Sequence, residues 1–274
     1  FSRWEEPGSE DAAHKVSPIL RHLKAEPGLP PTTMADGSAT VWAMAEKAFA
    51  TFSTHKGIGV RSLESRSYVD GPGGKKFEKL HLSPEFAWMT YGDFGERCAK
   101  LGAGLASFAG LKKGDNMLIF AETQRDWMAA MLGCFRQGGT IVTAYATLGK
   151  EGVCQALQDT GASICVCDAK LFPVLAKAAK ECPGLKYVVP IITEADKSCG
   201  ELREELGGSQ EVKSVDDLVA LGAEAEATPP AAKDTAVIMY TSGTTGKSKG
   251  VMISHENIVT QARAGLSVYS FINS

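Results

Sequence analysis

Between residues 117 and 192, short apolar runs alternate with longer segments in which apolar residues recur every three or four positions. The apolar runs predict strands over residues 117–121, 140–144, 163–167 and 187–192, and the segments between them predict helices over residues 126–137, 150–159 and 170–181. A helix between two strands requires a right-handed crossover and favours parallel pairing. Because the strands are apolar throughout, we expect an α/β fold, in which a mostly parallel sheet carries helices on both faces.

The part of the chain before this pattern divides into an arm and the start of a domain. Residues 1–38 are rich in proline, glycine and charge, and they are predicted to form an extended N-terminal arm. From residue 39 onward we expect one domain, which opens with a helix over residues 40–52 and a hairpin over residues 69–82. Thr90 and Asp93 form a capping pair that is predicted to start the next helix.

Residues 240–250 read Tyr-Thr-Ser-Gly-Thr-Thr-Gly-Lys-Ser-Lys-Gly, a composition typical of a phosphate-binding loop. Glycines let backbone N–H groups point at an anion, hydroxyl groups add neutral donors, and lysine supplies a positive charge. The ligand that suits this composition is a polyphosphate, most simply ATP. Apolar runs on both sides predict strands over residues 235–241 and 251–254, whereas a flexible linker is seldom bounded by two strands.

This segment differs from a Walker A loop in two ways. A Walker A loop has four residues between its first glycine and the Gly-Lys pair, whereas only two residues separate Gly243 from Gly246. A Walker A loop also opens a helix, whereas Gly250 leads into a run with β-branched residues. We therefore expect a phosphate loop that joins two strands.

The pattern Tyr-Thr-Ser-Gly-Thr-Thr-Gly-x-x-Lys-Gly resembles the phosphate loop of the adenylate-forming superfamily, which contains acyl-CoA synthetases, luciferases and peptide-synthetase adenylation domains. Residues 120–127 (Phe-Ala-Glu-Thr-Gln-Arg-Asp-Trp) and 143–151 (Thr-Ala-Tyr-Ala-Thr-Leu-Gly-Lys-Glu) resemble the eukaryotic long-chain fatty acid–CoA ligases. The resemblance extends from about residue 39 to the end of the chain. One departure is Ser248, which stands where the family usually has proline. The loss of a φ-restricted residue is expected to loosen the loop slightly without removing a phosphate contact.

The resemblance implies a set of nucleotide-binding residues, which are Thr241, Ser242, Gly243, Thr244, Thr245, Gly246, Lys249 and Gly250. The serine and the threonines would donate from their hydroxyl groups, and the glycines would allow close backbone approach. Lys249 aligns with the lysine that contacts phosphate in the superfamily, so we expect it to bind the β- and γ-phosphates and to be the catalytic residue. Lys247 is interpreted as a solvated charge of the loop.

The resemblance also implies a fold and a reaction. The fold is the N-terminal large domain of the adenylate-forming enzymes, here a partial AMP-binding domain over residues 39–274. In the reaction, the carboxylate of a long-chain fatty acid attacks the α-phosphorus of ATP, which releases pyrophosphate and leaves an acyl-adenylate. The thiol of CoA then attacks the acyl-adenylate to give acyl-CoA. ATP, CoA and a long-chain fatty acid are therefore the expected substrates, with Mg²⁺ as the metal.

Several parts of the family's machinery follow the phosphate loop. They are the adenine motif with its magnesium-linked glutamate, the ribose-binding aspartate, the hinge and the lid lysine. Because the chain ends 24 residues after Gly250, we expect the fold to be incomplete at its C-terminus, without the lid domain or the Mg²⁺ ligand, and inactive alone. The chain begins with Phe1, so we expect the natural N-terminus and any targeting segment to lie upstream.

Two alternatives to a long-chain ligase stay open at this point. The first is another adenylate-forming enzyme, such as an aryl-CoA ligase or an adenylation domain, which substrate profiling would separate. The second is a truncated, non-catalytic module that binds nucleotide or a partner.

Composition excludes some classes of function. The net charge is −3 and no run of basic residues forms a stripe, so a nucleic-acid partner is not expected. The seven cysteines include no C-x-x-C pair, which indicates a reduced, intracellular compartment. None of the five histidines stands in metal-ligand spacing with another, so a zinc site is not expected.

Long-chain acyl substrates partition into bilayers, so we expect the full-length protein to be peripheral to, or anchored at, an internal membrane such as the endoplasmic reticulum.

A few other side chains are candidates for roles in the site. Five residues at helical spacing could line an acyl tunnel, although such spacing more often means core packing: Trp127, Met128, Met131, Cys134 and Phe135. Glu122 and Arg125 are candidates for a positional ion pair near a strand end. His255 follows a strand, but a fatty carboxylate is already ionised at neutral pH and needs no general base. We therefore interpret His255 as a polar residue in the first turn of the last helix, which Ser254 should cap.

Overall fold

The computed structural model describes residues 2–4, 20–22, 32–74, 76–192, 197–221, 224–241 and 248–268. The first elements in chain order are β1 (Ser2–Trp4), β2 (Leu20–His22), α1 (Val41–Thr51), β3 (Lys56–Val60), β4 (Leu63–Asp70), β5 (Lys76–Leu82), β6 (Ala87–Thr90) and α2 (Tyr91–Ala109). Three antiparallel pairs lie in this part of the chain, namely β1 with β2, β3 with β6, and β4 with β5. The predicted arm thus contains a strand pair, and the predicted hairpin is confirmed and begins earlier, at Leu63.

The second half of the chain forms the central sheet and its helices. Its elements are β7 (Asn116–Phe120), α3 (Arg125–Arg136), β8 (Thr140–Ala144), α4 (Lys150–Thr160), β9 (Ile164–Asp168), α5 (Phe172–Ala179), β10 (Tyr187–Ile191), α6 (Cys199–Glu205), β11 (Glu211–Val212), α7 (Val215–Ala220), β12 (Thr235–Thr241), β13 (Lys249–Ser254) and α8 (His255–Val268). The seven strands lie in the order β11-β10-β9-β7-β8-β12-β13. All neighbours pair in parallel except β12 and β13, which confirms the predicted α/β fold with a mostly parallel sheet.

Helices cover both faces of the sheet. Successive side chains of the central strands point to opposite faces, and both sets are apolar, so both faces are buried. Met117, Ile119 and Ile141 pack in one core with residues of α1, α2, α3 and α7. Leu118 and Phe120 pack in a second core with residues of α4, α5 and α6. Each fully buried side chain of this size contributes about 1.5–3 kcal/mol to folding.

The predicted helix starts can be traced to local chemistry. The backbone N–H of Asp93 donates to the Thr90 hydroxyl at 3.1 Å, and the Asp93 carboxylate accepts from the Thr90 N–H, so the capping box of α2 is confirmed. The predicted helix over residues 170–181 is shorter in the structure. A 3₁₀ turn occupies Ala169–Leu171, and α5 starts at Phe172 because Pro173 is tolerated only in a first helical turn.

Helices α2 and α3 pack closely through two glycines. A Cβ atom on Gly102 would lie 2.6 Å from the carbonyl oxygen of Gly133, so any side chain there would force the helices apart.

Six of the seven cysteines are buried, and all seven are free thiols, as expected for small apolar residues. Among the described helices, none has the length and apolarity needed to cross a bilayer.

Candidate functional site

The segment predicted to bind phosphate connects β12 to β13. The two strands form an antiparallel hairpin in which Thr241 pairs with Lys249 and Tyr240 pairs with Gly250. β12 also pairs in parallel with β8, so one arm of the hairpin belongs to the buried part of the sheet. The prediction of two strands around the loop is therefore confirmed. β13 begins two residues earlier than predicted, because its ladder with β12 continues to Lys249.

The described members of the predicted phosphate set meet at one end of this hairpin. Thr241 is the last residue of β12, and its hydroxyl lies 3.5 Å from the Lys249 carbonyl oxygen, to which it donates. Lys249 is exposed, and its ammonium forms no ion pair with another described residue. Six of the seven residues between them lie outside the described part of the chain, namely Ser242, Gly243, Thr244, Thr245, Gly246 and Lys247. Lys249 is thus an exposed cation beside the loop.

Gly250 has a packing reason to be glycine. A Cβ atom at this position would lie 3.1 Å from Cγ2 of Ile238, and 3.6 Å from the nearest atom of the Tyr240 ring. The contact with Ile238 is shorter than an ordinary van der Waals contact, whereas the distance to Tyr240 is an ordinary one, so a side chain at residue 250 would require Ile238 to shift.

Helix α4 contacts the loop end of the same hairpin. Gln155 donates from Nε2 to the Ser248 carbonyl oxygen at 2.8 Å. The Tyr240 hydroxyl donates to Asp159 Oδ2 at 3.3 Å. Burial of the phenol, together with the nearby Asp159 carboxylate, raises the pKa of Tyr240 to about 12. The phenol therefore remains a neutral donor over the whole physiological pH range.

A cleft of about 420 Å³ opens at the carboxyl ends of β7, β8 and β12. Its walls are mainly apolar and include Trp127 and Met131 of α3, Tyr145 after β8, and Val237 and Met239 of β12. The connection after β7 leads to α3 on one face of the sheet, and the connection after β8 leads to α4 on the other. Such a switch in direction is where open α/β sheets bind ligands.

The sequence named five residues as candidates for lining an acyl tunnel, and the structure separates them. Trp127 and Met131 line the cleft. Cys134 and Phe135 are completely buried in the core between α3 and the sheet. Met128 is 40% exposed and is not among the residues that line the cleft. Cys134 and Phe135 are therefore core residues, which was the alternative to a role in an acyl tunnel.

The proposed pairing of Glu122 with Arg125 is wrong. Glu122 forms an ion pair with Lys170 at 2.5 Å, and Arg125 forms one with Asp126 at 2.7 Å. Asp126 is buried and also accepts from Arg97 Nε at 2.7 Å, so Arg125 extends a structural network. The sequence could not show this, because Arg97 and Lys170 approach only through the packing of α2 and the end of β9.

Asp168 is a buried carboxylate beside the cleft that the sequence analysis missed. It accepts from the Glu122 backbone N–H at 2.7 Å and from the Gln124 side-chain amide. Burial raises its pKa, and the hydrogen bond from Glu122 opposes that shift. Asp168 therefore ties the end of β9 to the turn that follows β7.

His255 is the first residue of α8, as predicted, but it is completely buried. The Val41 backbone N–H donates to its Nδ1 at 3.4 Å, and its ring meets Phe135 edge-on with the centroids 4.7 Å apart. Burial lowers the pKa of His255 to about 4. His255 therefore joins α8 to the start of α1. As predicted, Ser254 caps α8, because its hydroxyl accepts from the Asn257 N–H at 3.1 Å.

Within the described ranges, no group of three or more His, Cys, Asp or Glu side chains is arranged to hold a metal ion. None of the described residues is assigned to the Mg²⁺ that the resemblance implies.

Comparison with known proteins places this geometry in a family. The family described as "AMP-binding enzyme" matches residues 73–272. Long chain acyl-CoA synthetase 8 of Arabidopsis thaliana is 34% identical over 236 residues, which are 85% of this chain and 32% of that protein. Long-chain-fatty-acid–CoA ligase 1 of Saccharomyces cerevisiae is 30% identical over 95% of this chain and 41% of its own length. The chain thus spans about a third to two fifths of these relatives.

Solved structures agree on the fold. The A-PCP didomain of a carboxylic acid reductase from Segniliparus rugosus, in complex with AMP, superposes with a TM-score of 0.66 at 16% identity, covering 86% of this chain and 32% of that one. A putative long-chain-fatty-acid CoA ligase from Rhodopseudomonas palustris gives a TM-score of 0.63 at 16% identity, covering 84% and 48%. The family match covers well over half of the chain, which therefore belongs to the AMP-binding enzymes and has the fold of the adenylate-forming superfamily.

Proposed function

We propose that this chain is part of a long-chain-fatty-acid–CoA ligase, which uses ATP to convert a long-chain fatty acid to an acyl-adenylate and then to acyl-CoA. The observation that carries the proposal is that β12, which pairs in parallel with β8 of the central sheet, leads directly into the sequence segment rich in glycine, hydroxyl groups and lysine. Thr241 and Lys249, on either side of residues 242–248, pair with each other across the β12–β13 hairpin. The names of the curated relatives support the choice of a long-chain fatty acid as the substrate.

In the proposed adenylation step, a fatty carboxylate oxygen forms a bond to the α-phosphorus of ATP, and the bond to the pyrophosphate oxygen breaks. Negative charge moves toward the leaving pyrophosphate in this step. A cation near the β- and γ-phosphates stabilises that charge more in the transition state than in the ground state. Lys249 is the candidate for this role, because it is exposed beside the loop and forms no ion pair with another described residue. Bound Mg²⁺ would supply further neutralisation of the phosphates.

The second step needs no further activation of the acid, because the AMP of the acyl-adenylate is already a good leaving group. The sulfur of CoA forms a bond to the acyl carbon, the bond to the AMP oxygen breaks, and the thiol proton is released. The cleft beside Trp127 and Met131 would accommodate an uncharged, flexible part of a substrate, since its walls are largely apolar. Because long-chain acids partition into bilayers, we place this activity at the surface of an internal membrane.

The test is ATP–pyrophosphate exchange by the full-length protein that contains this chain, measured with hexadecanoate and with benzoate as the acid. The proposal predicts exchange that depends on hexadecanoate and formation of hexadecanoyl-CoA when CoA is added. Exchange that responds only to benzoate would indicate an aryl-CoA ligase instead. ATP binding without exchange for either acid would indicate a non-catalytic nucleotide-binding module.

A further inference from the structure

Helix α4 has one face in the core and a second face toward the β12–β13 hairpin. Val153, Ala156 and Leu157 are buried against the sheet. Gln155 and Asp159 are four residues apart, so they lie one turn apart on the same side of the helix. Gln155 Nε2 donates to Asp159 Oδ2 at 3.2 Å, which links the two side chains to each other.

Each of these side chains holds one flank of the segment that joins the two strands. Gln155 Nε2 reaches the Ser248 carbonyl oxygen, immediately before Lys249. Asp159 Oδ2 accepts from the Tyr240 hydroxyl, one residue before Thr241. One pair of residues on α4 therefore contacts both arms of the hairpin at the base of the loop.

These contacts matter for the position of β13 because β13 is an edge strand. In the described sheet, β13 pairs only with β12, so its outer side has no ladder to hold it. The Gln155 contact to Ser248 lies at the residue where the backbone enters this ladder. The Tyr240 ring, which lies over Gly250, brings its hydroxyl to α4 from the opposite arm. The hairpin end is thus fixed to the protein body through Gln155 and Asp159.

We infer that Gln155 and Asp159 are positioning residues for ATP. They hold the two flanks of the phosphate-binding segment and so fix the position of the Lys249 backbone at the start of β13. This inference rests on the proposed function, because it assigns the pair to the same nucleotide site. Neither residue touches a reacting atom. Both act through Ser248 and Tyr240. The sequence of α4 contains no pattern that would predict this positioning role.

The experiment uses the full-length protein and compares six variants with the wild type. They are Gln155→Ala, Asp159→Ala, Asp159→Asn, Tyr240→Phe, the double variant Asp159→Ala/Tyr240→Phe and the control Gln158→Ala. Gln158 lies on the same helix, but its amide donates to the Glu181 carbonyl oxygen, away from the hairpin. KM for ATP, KM for hexadecanoate and kcat are measured by pyrophosphate exchange, together with the thermal midpoint of each variant.

Loss of one hydrogen bond of ordinary strength corresponds to a change of about 2- to 12-fold in an equilibrium. Gln155→Ala and Asp159→Ala should therefore each raise KM for ATP by about that factor, while KM for hexadecanoate changes less than about twofold. Asp159→Asn retains an oxygen that accepts from Tyr240 and should behave like the wild type, as should Gln158→Ala. Tyr240→Phe removes the hydroxyl but keeps the ring, so it should also raise KM for ATP, and the double variant should show no larger effect than Asp159→Ala alone.

An unchanged KM for ATP in both alanine variants would overturn the inference while leaving the ligase proposal intact. An equal rise in KM for both substrates together with a lower thermal midpoint would also overturn it, because it would show a merely structural role. A wild-type protein without fatty-acid-dependent exchange would instead refute the proposed function, and the inference with it.

Discussion

The buried His255 makes the stability of the fold depend on pH in a defined direction. Its ring is completely buried between α8, α1 and α3, and burial lowers its pKa from 6.5 to about 4. Nδ1 accepts from the Val41 N–H, so the neutral ring carries its proton on Nε2, which has no partner among the described residues. Protonation would place a second proton on Nδ1, facing a donor. The folded protein therefore opposes charging of this side chain.

The sign and size of the effect follow from linkage. Between pH 6.5 and pH 4 the unfolded chain binds more protons at His255 than the folded chain does, so the free energy of unfolding falls as the pH falls. A difference of 2.5 pKa units corresponds to about 3 kcal/mol in total, at about 1.4 kcal/mol per unit. Of this, about 2 kcal/mol is lost between pH 7 and pH 5. The Asp234 carboxylate, which favours the charged ring, reduces the shift but does not reverse it.

The assay is urea unfolding of the wild type and of His255→Gln at pH 7 and at pH 5. Other groups titrate in this window too, but they are common to both proteins, so the difference between the two pH dependences isolates His255. We expect the wild type to lose about 2 kcal/mol more than the variant between the two pH values. Equal losses, within about 0.5 kcal/mol, would refute the assignment of a buried, neutral ring.

Two further predictions concern packing and charge, and both are checked by chemical denaturation. Asp126→Ala leaves the guanidinium of Arg97, whose side chain is 12% exposed, with Asp216 as its remaining acidic partner, and it should destabilise the fold by about 3 kcal/mol. A loss below about 1 kcal/mol would show that the network is effectively solvated. Gly102→Ala should cost about 1–3 kcal/mol or more, because the new Cβ would meet the Gly133 carbonyl oxygen at 2.6 Å. A stability equal to that of the wild type would mean that α2 and α3 separate without cost.

The sequence was sufficient to predict those strands and helix starts that depend on residues close together in the chain. The strands of the central sheet are short runs of buried apolar residues, and the start of α2 depends on Thr90 and Asp93, three positions apart. α6 was not predicted, although it carries a local signal, the capping box of Ser198 and Glu201. The hairpin around the phosphate segment followed from the apolar runs on both of its sides.

Contacts between distant parts of the chain could not be predicted in this way. Strand β9 lies beside β7 rather than β8, and no pattern within either strand specifies that order. His255 is buried because the start of α1, 214 residues earlier in the chain, packs on it. The support of residues 240–250 by Gln155 and Asp159 has the same origin. In each case the burial or the partner of a side chain depends on how the elements pack, which a single sequence does not display.

The central claim is that residues 240–250 bind the phosphates of ATP and that Lys249 stabilises the charge of the leaving pyrophosphate. Its most direct test is single-turnover formation of the acyl-adenylate at saturating ATP by full-length Lys249→Ala and Lys247→Ala, with thermal melts to exclude misfolding. By analogy with the loss of one oxyanion donor, Lys249→Ala should slow adenylation about 10²–10³-fold, or roughly 3–4 kcal/mol. Lys247→Ala, as a solvated charge, should cost less than about 1 kcal/mol. Equal losses for the two lysines would contradict the assignment of Lys249, and a larger loss at Lys247 would reverse the two roles.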